Sequence, residues 1–449
     1  MRFVIIGGSD AGIAAALRAR ELDPNVEITV LLEDEYPNFS ICGLPFFLSG
    51  ETPDWKTLAH RTQFDGITVR ARHRVTRIDL GAQQVEAHIG ENKLVALGYD
   101  RLLIATGASS RRPTIEGLEL RGVFCLHSMD DSFAMKRHLD ETSPKRAVIV
   151  GGGYIGLEMA DALSHRGMKV SLASRTASVL PTVDPEIGQV IARELREHGV
   201  AVHSNVEVHS VRQAGKHLQV SGANGFEADC ELVLIAAGVK PNSQLGTDAG
   251  LKTGAGGALL TNRKMESGAP AVYVAGDCAE TWHRTLQRYT YLPLGTTSHK
   301  QGRVAGSNAV GVEQEFAGTL GTQVVKIFDL IVGRTGLRGE EADGAGYVSR
   351  TVETVVSDHK AYYPGATELR LRVTGDVRTG KLLGAQIVGR YGAEVAKRLD
   401  LFAIAQFHQM SVDAISDLDL SYTPPVSSPW DPVQVAAQVW SQKDIAAAR

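Results

Sequence analysis

The chain carries the same local pattern twice, and that repetition constrains its fold more than any other feature. Phe3-Val4-Ile5-Ile6 is a short apolar run ending in Gly7-Gly8-Ser9-Asp10-Ala11-Gly12, which passes into Ile13-Ala14-Ala15-Ala16-Leu17-Arg18. Ala147-Val148-Ile149-Val150 leads in the same way into Gly151-Gly152-Gly153-Tyr154-Ile155-Gly156 and then Leu157-Glu158-Met159-Ala160-Asp161-Ala162-Leu163. Each copy reads as strand, tight turn and helix. Glycine serves in such a turn because a dinucleotide pyrophosphate must lie against the helix N-terminus, where free N–H groups and the positive end of the dipole face it. The second copy has every glycine of the dinucleotide pattern; the first has Ser9 in the middle place, a small residue that still allows close approach.

A glycine-rich turn alone is weak, so the strand that follows decides the ligand. Ile28-Thr29-Val30-Leu31-Leu32 ends at Glu33, where a carboxylate accepts hydrogen bonds from an unphosphorylated adenosine ribose, as in FAD. Lys169-Val170-Ser171-Leu172-Ala173 ends instead at Ser174-Arg175. A guanidinium there suits a ribose phosphate and points to NADPH, with NADH the alternative if Arg175 is only a solvated charge. Two more apolar strands close in small-residue turns, at Ala105-Thr106-Gly107 and Ala236-Ala237-Gly238, each returning the chain to its own nucleotide. Ala271-Val272-Tyr273-Val274-Ala275 ends in Gly276-Asp277, setting an acid at the carboxyl end of a strand, where the ligand crevice lies. Two nucleotide units in one chain imply hydride passing between a resident and an exchanging cofactor, naturally FAD and a nicotinamide.

Composition narrows the remaining classes. A length of 449 residues implies several domains with ample core. Lys plus Arg is 47 and Asp plus Glu is 51, a formal charge of −4 without blocks of like charge, which disfavours nucleic-acid and anionic-membrane partners. No apolar run approaches the ~18 residues of a membrane span. Met1 leads straight into an apolar strand, so no cleavable leader is expected. Cys42, Cys125, Cys230 and Cys278 are too few and too scattered for a disulfide framework or a metal ligand set, and a reducing, cytoplasmic location is the expectation.

Cys42 stands alone within Tyr36-Pro37-Asn38-Phe39-Ser40-Ile41-Cys42-Gly43-Leu44-Pro45-Phe46-Phe47. A free cysteine is most often a small buried hydrophobe. Gly43 and Pro45 favour another reading, because proline near a helix start is preorganised and places Cys42 at the N-terminal end, where the dipole stabilises a thiolate.

Over essentially its whole length the chain resembles the single-cysteine branch of the FAD-dependent pyridine nucleotide-disulfide oxidoreductases. It is similar to the coenzyme A disulfide reductases and their NAD(P)H oxidase and polysulfide reductase relatives. The residues that carry this resemblance are Cys42-Gly43-Leu44-Pro45, both glycine turns, Ala105-Thr106-Gly107, Gly276-Asp277, Tyr362-Tyr363-Pro364-Gly365 and Ser421-Tyr422-Thr423-Pro424-Pro425. It implies an α/β fold with two Rossmann-like, glutathione-reductase-type dinucleotide-binding domains and a C-terminal α+β dimerisation domain. The FAD-binding domain would take residues 1–110 and 240–320, the NAD(P)-binding domain 111–239 and the interface domain 321–449. The residues themselves change pattern from about Gly321, with short strands such as Glu368–Val373 and Leu382–Val388 and then a helix from roughly Ala393 to Gln409, as in an antiparallel sheet with helices on one side.

By the same resemblance, Glu33 holds the FAD ribose, Asp277 the ribityl chain, and Cys42 lies beside the isoalloxazine; Ser40 joins the cofactor-binding set. Backbone around Thr297 and His299 faces the flavin edge, unless this is an ordinary helix start. Phe47 stands where two-cysteine members place a second cysteine, so the oxidised partner of Cys42 comes from outside, as a mixed disulfide with a small thiol or as a sulfenic acid. Asp10 stands where the oxidases and peroxidases carry a histidine. Tyr422, with Tyr362 or Tyr363, would reach the active cysteine of the other subunit of a homodimer and protonate a leaving thiolate, or else simply pack the interface. Arg18, Arg20, Lys56 and Arg61 are candidates for coenzyme A phosphates. The expected function is NAD(P)H-dependent reduction of a coenzyme A-type disulfide, persulfide or polysulfide through Cys42. The alternatives are an oxidase cycling through a Cys42 sulfenic acid, and an electron carrier to a protein partner with Cys42 inert.

Overall fold

The computed structural model describes residues 1–90 and 93–447, so Ala448 and Arg449 of the expected interface domain lie outside the described residues. Both glycine turns connect a parallel strand to a helix. The first sheet orders its strands Val272–Val274, Arg101–Ile104, Arg2–Ile6, Glu27–Leu31 and Ile67–Arg70, all parallel. The order reverses at Arg2–Ile6, and the crevice beyond the carboxyl ends of a doubly wound sheet opens at that switch point. Phe3, Ile5, Ile28 and Leu103 are buried on these strands, each contributing about 1.5–3 kcal/mol by removal from water.

Small residues let two helices come together over this sheet. Asp10–Leu22 packs along Gly295–Ala309, where a Cβ on Gly302 would strike the backbone of Ala11 and one on Gly306 the backbone of Ala15. Glycine is the residue that lets the helix axes approach so closely.

The second sheet repeats the plan with strands Ala201–Ser204, Lys169–Ser174, Arg146–Val150, Leu232–Ile235 and Val123–Cys125, again all parallel. Each parallel sheet is accompanied by a three-stranded antiparallel meander, His73–Asp79 with Gln84–Ile89 and Lys93–Gly98, and Val208–Ala214 with His217–Gly222 and Glu227–Cys230.

The third unit is a five-stranded antiparallel sheet in the order Gln323–Ile327, Leu330–Gly336, Leu382–Arg390, Glu368–Asp376 and Ser349–Ser357. Helices Val395–Phe407 and Pro432–Ala447 share one core with it, built on Leu369, Leu371, Ile387, Leu399, Phe402 and Trp440. The helix expected from Ala393 begins at Val395 because Glu394 is left-handed, with φ at 54°. The opposite face of this sheet docks on the second unit through polar contacts: Arg372 Nε and Gln386 Nε2 each donate to Asp184 Oδ2 at 2.8 Å, and Arg390 pairs with Glu194 at 2.7 Å.

Candidate functional site

The first glycine turn is shaped to leave bare backbone facing the crevice. Gly7 has φ of +114°, and a Cβ there would collide with the carbonyl oxygen of Ala105; a Cβ on Gly12 would collide with that of Gly7. Gly8 lies against Leu32, and Ser9 is an exposed N-cap whose hydroxyl makes no capping bond. Ala11 is buried behind them in the helix start. Gly107 has φ of +66° with open space where a Cβ would stand, and Thr106 is tied to Asn242 by two hydrogen bonds at 2.7 and 2.9 Å. Glu33 follows the second strand as an exposed carboxylate 3.5 Å from Arg74. Gly276 turns the last strand with φ of +84°, and Asp277 accepts from Ser298 Oγ at 2.8 Å. Burial raises the Asp277 carboxyl, opposed by the Ser298 bond and by His127. The Tyr291 hydroxyl, close enough to feel the charge of Asp277, is buried with no partner. Open backbone, an exposed ribose-seeking acid and an orphaned hydroxyl together fit a bound FAD.

The second turn repeats these constraints. Gly151 has φ of +123° against the Ala236 carbonyl, Gly156 lies against the Gly151 carbonyl, and Gly153 and Gly238 face open space. Tyr154 and Ile155 open the helix Tyr154–His165. Ser174 is buried, while Arg175 is exposed and free of any ion pair among the described residues. This geometry fits a dinucleotide with a free cation at the ribose end.

Cys42 stands immediately N-terminal to the helix that Pro45 opens. It lies on a 3₁₀ turn, Ile41–Gly43, whose N-cap is Ser40, and the helix Leu44–Ser49 starts after it with Gly43 as N-cap. Pro45 sits in the first turn of that helix, but Cys42 lies outside its N-terminus. The residue is exposed, yet the protein packed around the sulfur pushes the thiol up, and the carboxylates of Glu158, Asp10 and Asp277 add to this. Burial and the three carboxylates oppose the thiolate that the helix end would favour. Phe47, in the place of a second cysteine, is buried against Phe133.

Thr297 is buried in the first turn of Gly295–Ala309, where its N–H is already given to Leu294 at 2.9 Å. His299 lies two residues further along, with Nε2 3.4 Å from Asp10 Oδ1 and its ring edge-on to His60.

Far along the chain, Tyr422 meets Tyr362. The Tyr422 phenol is held above its ordinary value, first by desolvation and then by its hydrogen bond with Tyr362. Tyr363 turns away and packs edge-on to His359. Arg398, which sequence reasoning missed, joins the two loops: its Nη2 donates to Asp358 O at 2.8 Å and to Val426 O at 3.2 Å, and its Nε to Asp431 Oδ2 at 3.2 Å. Of the candidate cations, Arg20 is consumed by the backbone carbonyls of Pro24, Val26 and Gly66, and Arg18 by Ser307 and Glu21. Lys56 and Arg61 are exposed, and their side chains have no partner among the described residues. Glu158, which the sequence did not single out, lies in the glycine-turn helix with its carboxyl pushed up to about 7 by burial and by Asp161. Among the described residues no cluster of His, Cys, Asp or Glu is arranged to hold a metal.

Comparison with known proteins places this geometry. The NAD(P)H sulfur oxidoreductase (CoA-dependent) of Pyrococcus abyssi is 36% identical over 444 residues, 97% of each chain. The coenzyme A disulfide reductase of Staphylococcus haemolyticus is 30% identical over 441 residues, 97% of this chain and 98% of its own. The solved structure of an NAD-dependent persulfide reductase from A. fulgidus superposes with a TM-score of 0.95 at 34% identity, over 99% of this chain and 83% of that one. Residues 1–302 match the pyridine nucleotide-disulphide oxidoreductases and residues 322–432 their dimerisation domain. With two dinucleotide turns, a lone cysteine at the crevice and a C-terminal antiparallel unit in that order, the chain belongs to the pyridine nucleotide-disulphide oxidoreductase family.

Proposed function

We propose that the protein is a homodimeric, FAD-dependent NADPH:disulfide reductase whose acceptor is a coenzyme A-type disulfide, persulfide or polysulfide, working in a reducing cytoplasm. One observation carries this reading: of four free cysteines only Cys42 is exposed, and the place of a resolving cysteine is filled by buried Phe47. A thiol so placed exchanges with a partner from outside the chain.

In this reading residues 1–110 and 240–320 bind FAD through Gly7, Gly8, Ser9, Asp10, Ala11, Gly12, Glu33, Ser40, Thr106, Gly107, Gly276, Asp277 and the first turn at Thr297. Residues 111–239 bind the nicotinamide through Gly151, Gly153, Tyr154, Ile155, Gly156, Ser174, Arg175 and Gly238. Arg175 selects NADPH because a free guanidinium at the ribose end pairs with phosphate. Bound FAD supplies two-electron transfer between nicotinamide and sulfur.

The remaining work belongs to the side chains. Cys42, once deprotonated, attacks one sulfur of the acceptor; a bond forms from Cys42 Sγ to that sulfur and the acceptor S–S bond breaks. The departing thiolate takes a proton from Tyr422 of the dimer, whose phenol is protonated at neutral pH as an ordinary tyrosine is and is held further up by desolvation and then by Tyr362. The resulting mixed disulfide is then reduced by two electrons, which frees the second thiol and restores Cys42. Lys56 and Arg61 are left as the cations available to an anionic acceptor.

The test is anaerobic NADPH oxidation by the FAD-loaded protein with coenzyme A disulfide as sole acceptor, compared with Cys42→Ser. Turnover lost in the variant supports the reading. A Cys42→Ser protein with full activity, or wild-type turnover that needs oxygen and no disulfide, overturns it.

A further inference from the structure

We propose that Arg334, on the strand Leu330–Gly336 of the C-terminal unit, is a positioning residue for the nicotinamide nucleotide, holding residues 175–184 of the second unit in the shape that braces its glycine turn. The inference rests on the reading that this turn binds the nicotinamide dinucleotide, and adds the group that keeps the turn in shape.

Residues 175–184 run from the end of strand Lys169–Ser174, past Arg175, to the start of helix Pro185–Glu197. Midway they press on the turn. A Cβ on Gly152 would stand 3.3 Å from Val179 Cγ1, and the Leu180 N–H donates to Gly152 O at 2.7 Å. Leu180 makes this bond in the left-handed region, with φ of 49°, although it carries a branched side chain that is only 1% exposed. A bulky residue rarely takes that conformation and keeps it only where its surroundings impose it. Before Leu180, the packing of Val179 on Gly152 does so. After it comes a tight turn, in which the Val183 N–H donates to Leu180 O at 3.0 Å and Pro181 presets the second place. Such a turn uses the carbonyl of its first residue and leaves that of its third, Thr182, to find a donor elsewhere.

Arg334 is that donor. Its Nη1 donates to Thr182 O across the boundary between the two units. Its side chain is 10% exposed and fixed from behind: Nη1 and Nη2 donate to Glu341 Oε1 and Oε2 at 3.1 and 2.6 Å, and Nη2 also to Gly336 O at 2.5 Å. A planar fork clamped on a carboxylate does not follow the segment, so the segment conforms to the fork. The Thr182 hydroxyl, so placed, donates to the hydroxyl of Tyr154 at 3.4 Å, on the first residue of the helix that leaves the glycine turn. The other ties act further along, Arg338 on Val183 O at 3.4 Å, and Gln386 and Arg372 on Asp184, the N-cap of Pro185–Glu197. They set where the helix starts; Arg334 sets the turn that presses on Gly152.

The experiment compares wild type, Arg334→Met and Arg372→Gln in two measurements on the FAD-loaded protein: equilibrium binding of NADP⁺ and of NAD⁺, and amide hydrogen exchange of the peptide that contains Leu180, without nucleotide. Arg334→Met is expected to bind both nucleotides about tenfold more weakly, the effect of losing one charged hydrogen bond, and to exchange the Leu180 peptide about tenfold faster. Arg372→Gln, which loosens the docking of the two units without touching the turn, is expected to stay within about twofold of wild type in both. Arg334→Met leaves Glu341 without its cation; where that variant fails to fold, Arg334→Met/Glu341→Gln is compared with Glu341→Gln, and the same losses are expected. Unchanged nucleotide binding in the Arg334 variants overturns the proposal, and so does unchanged exchange of the Leu180 peptide or an equal loss in Arg372→Gln. Wild type that binds neither nucleotide overturns the nicotinamide reading and this proposal with it, whereas wild-type binding that Arg334→Met retains overturns the proposal alone. Neither measurement needs an acceptor or Cys42, so both are distinct from disulfide turnover.

Discussion

Glu158 joins the second glycine turn to the Cys42 site through one carboxyl. Burial and Asp161 raise it from 4.5 to about 7, so the folded chain keeps this proton to higher pH than the unfolded chain does. Stability therefore falls as pH rises from 4.5 through about 7. Glu158→Gln removes that penalty: its melting temperature should match wild type near the acid end of this window and exceed it above, by the equivalent of about 2–3 kcal/mol. A gain equal at every pH would assign the effect to packing instead. Arg175 carries a second residue-scale prediction. Arg175→Ala should raise KM for NADPH about tenfold or more and leave KM for NADH within about twofold, as expected for one charge-assisted phosphate contact. Equal changes for both nucleotides would remove the phosphate role.

At the scale of elements, the glycine turns were readable because each demands a backbone that side chains forbid: Gly7 at φ of +114° and Gly151 at +123° both press on the carbonyl of a neighbouring strand. The strand ends at Glu33, Arg175 and Asp277 were readable for the same reason, since a parallel strand ends where the crevice begins. Cys42 stands at the N-terminal end of the helix that Pro45 opens, on a 3₁₀ turn that the proline by itself does not specify. The meeting of Tyr422 with Tyr362, of Asp10 with His299, and the consumption of Arg20 by three carbonyls depend on contacts between distant segments that no local pattern encodes. Arg398 is the clearest such case, a buried guanidinium tying the loop before Tyr362 to the loop after Tyr422. Arg398→Met should leave Asp431 buried without its cation and cost about 3–5 kcal/mol in urea unfolding. It should also loosen both tyrosine loops to limited proteolysis; a variant as stable as wild type with protected loops would contradict this role.

At the scale of the whole molecule, the C-terminal unit has one side committed and another unsatisfied. Its sheet is pinned to the second parallel-sheet unit by Asp184, Arg372 and Gln386, while Tyr362, Tyr422, Val426 and Trp430 remain exposed. Exposed apolar and aromatic residues of this kind mark an interface, and Trp430 shares a groove with Tyr362. Trp430→Asp should weaken self-association about 30-fold or more in sedimentation, the effect of losing a central aromatic contact, while the monomer keeps FAD and loses disulfide turnover. An unchanged dimer would place the interface elsewhere. The central claim concerns where the second sulfur comes from. The most direct measurement is the intact mass of the oxidised protein after exposure to coenzyme A disulfide. One coenzyme A adduct, mapped to Cys42 and released by NADPH, is the predicted result; no adduct, or an internal disulfide within the chain, would contradict it.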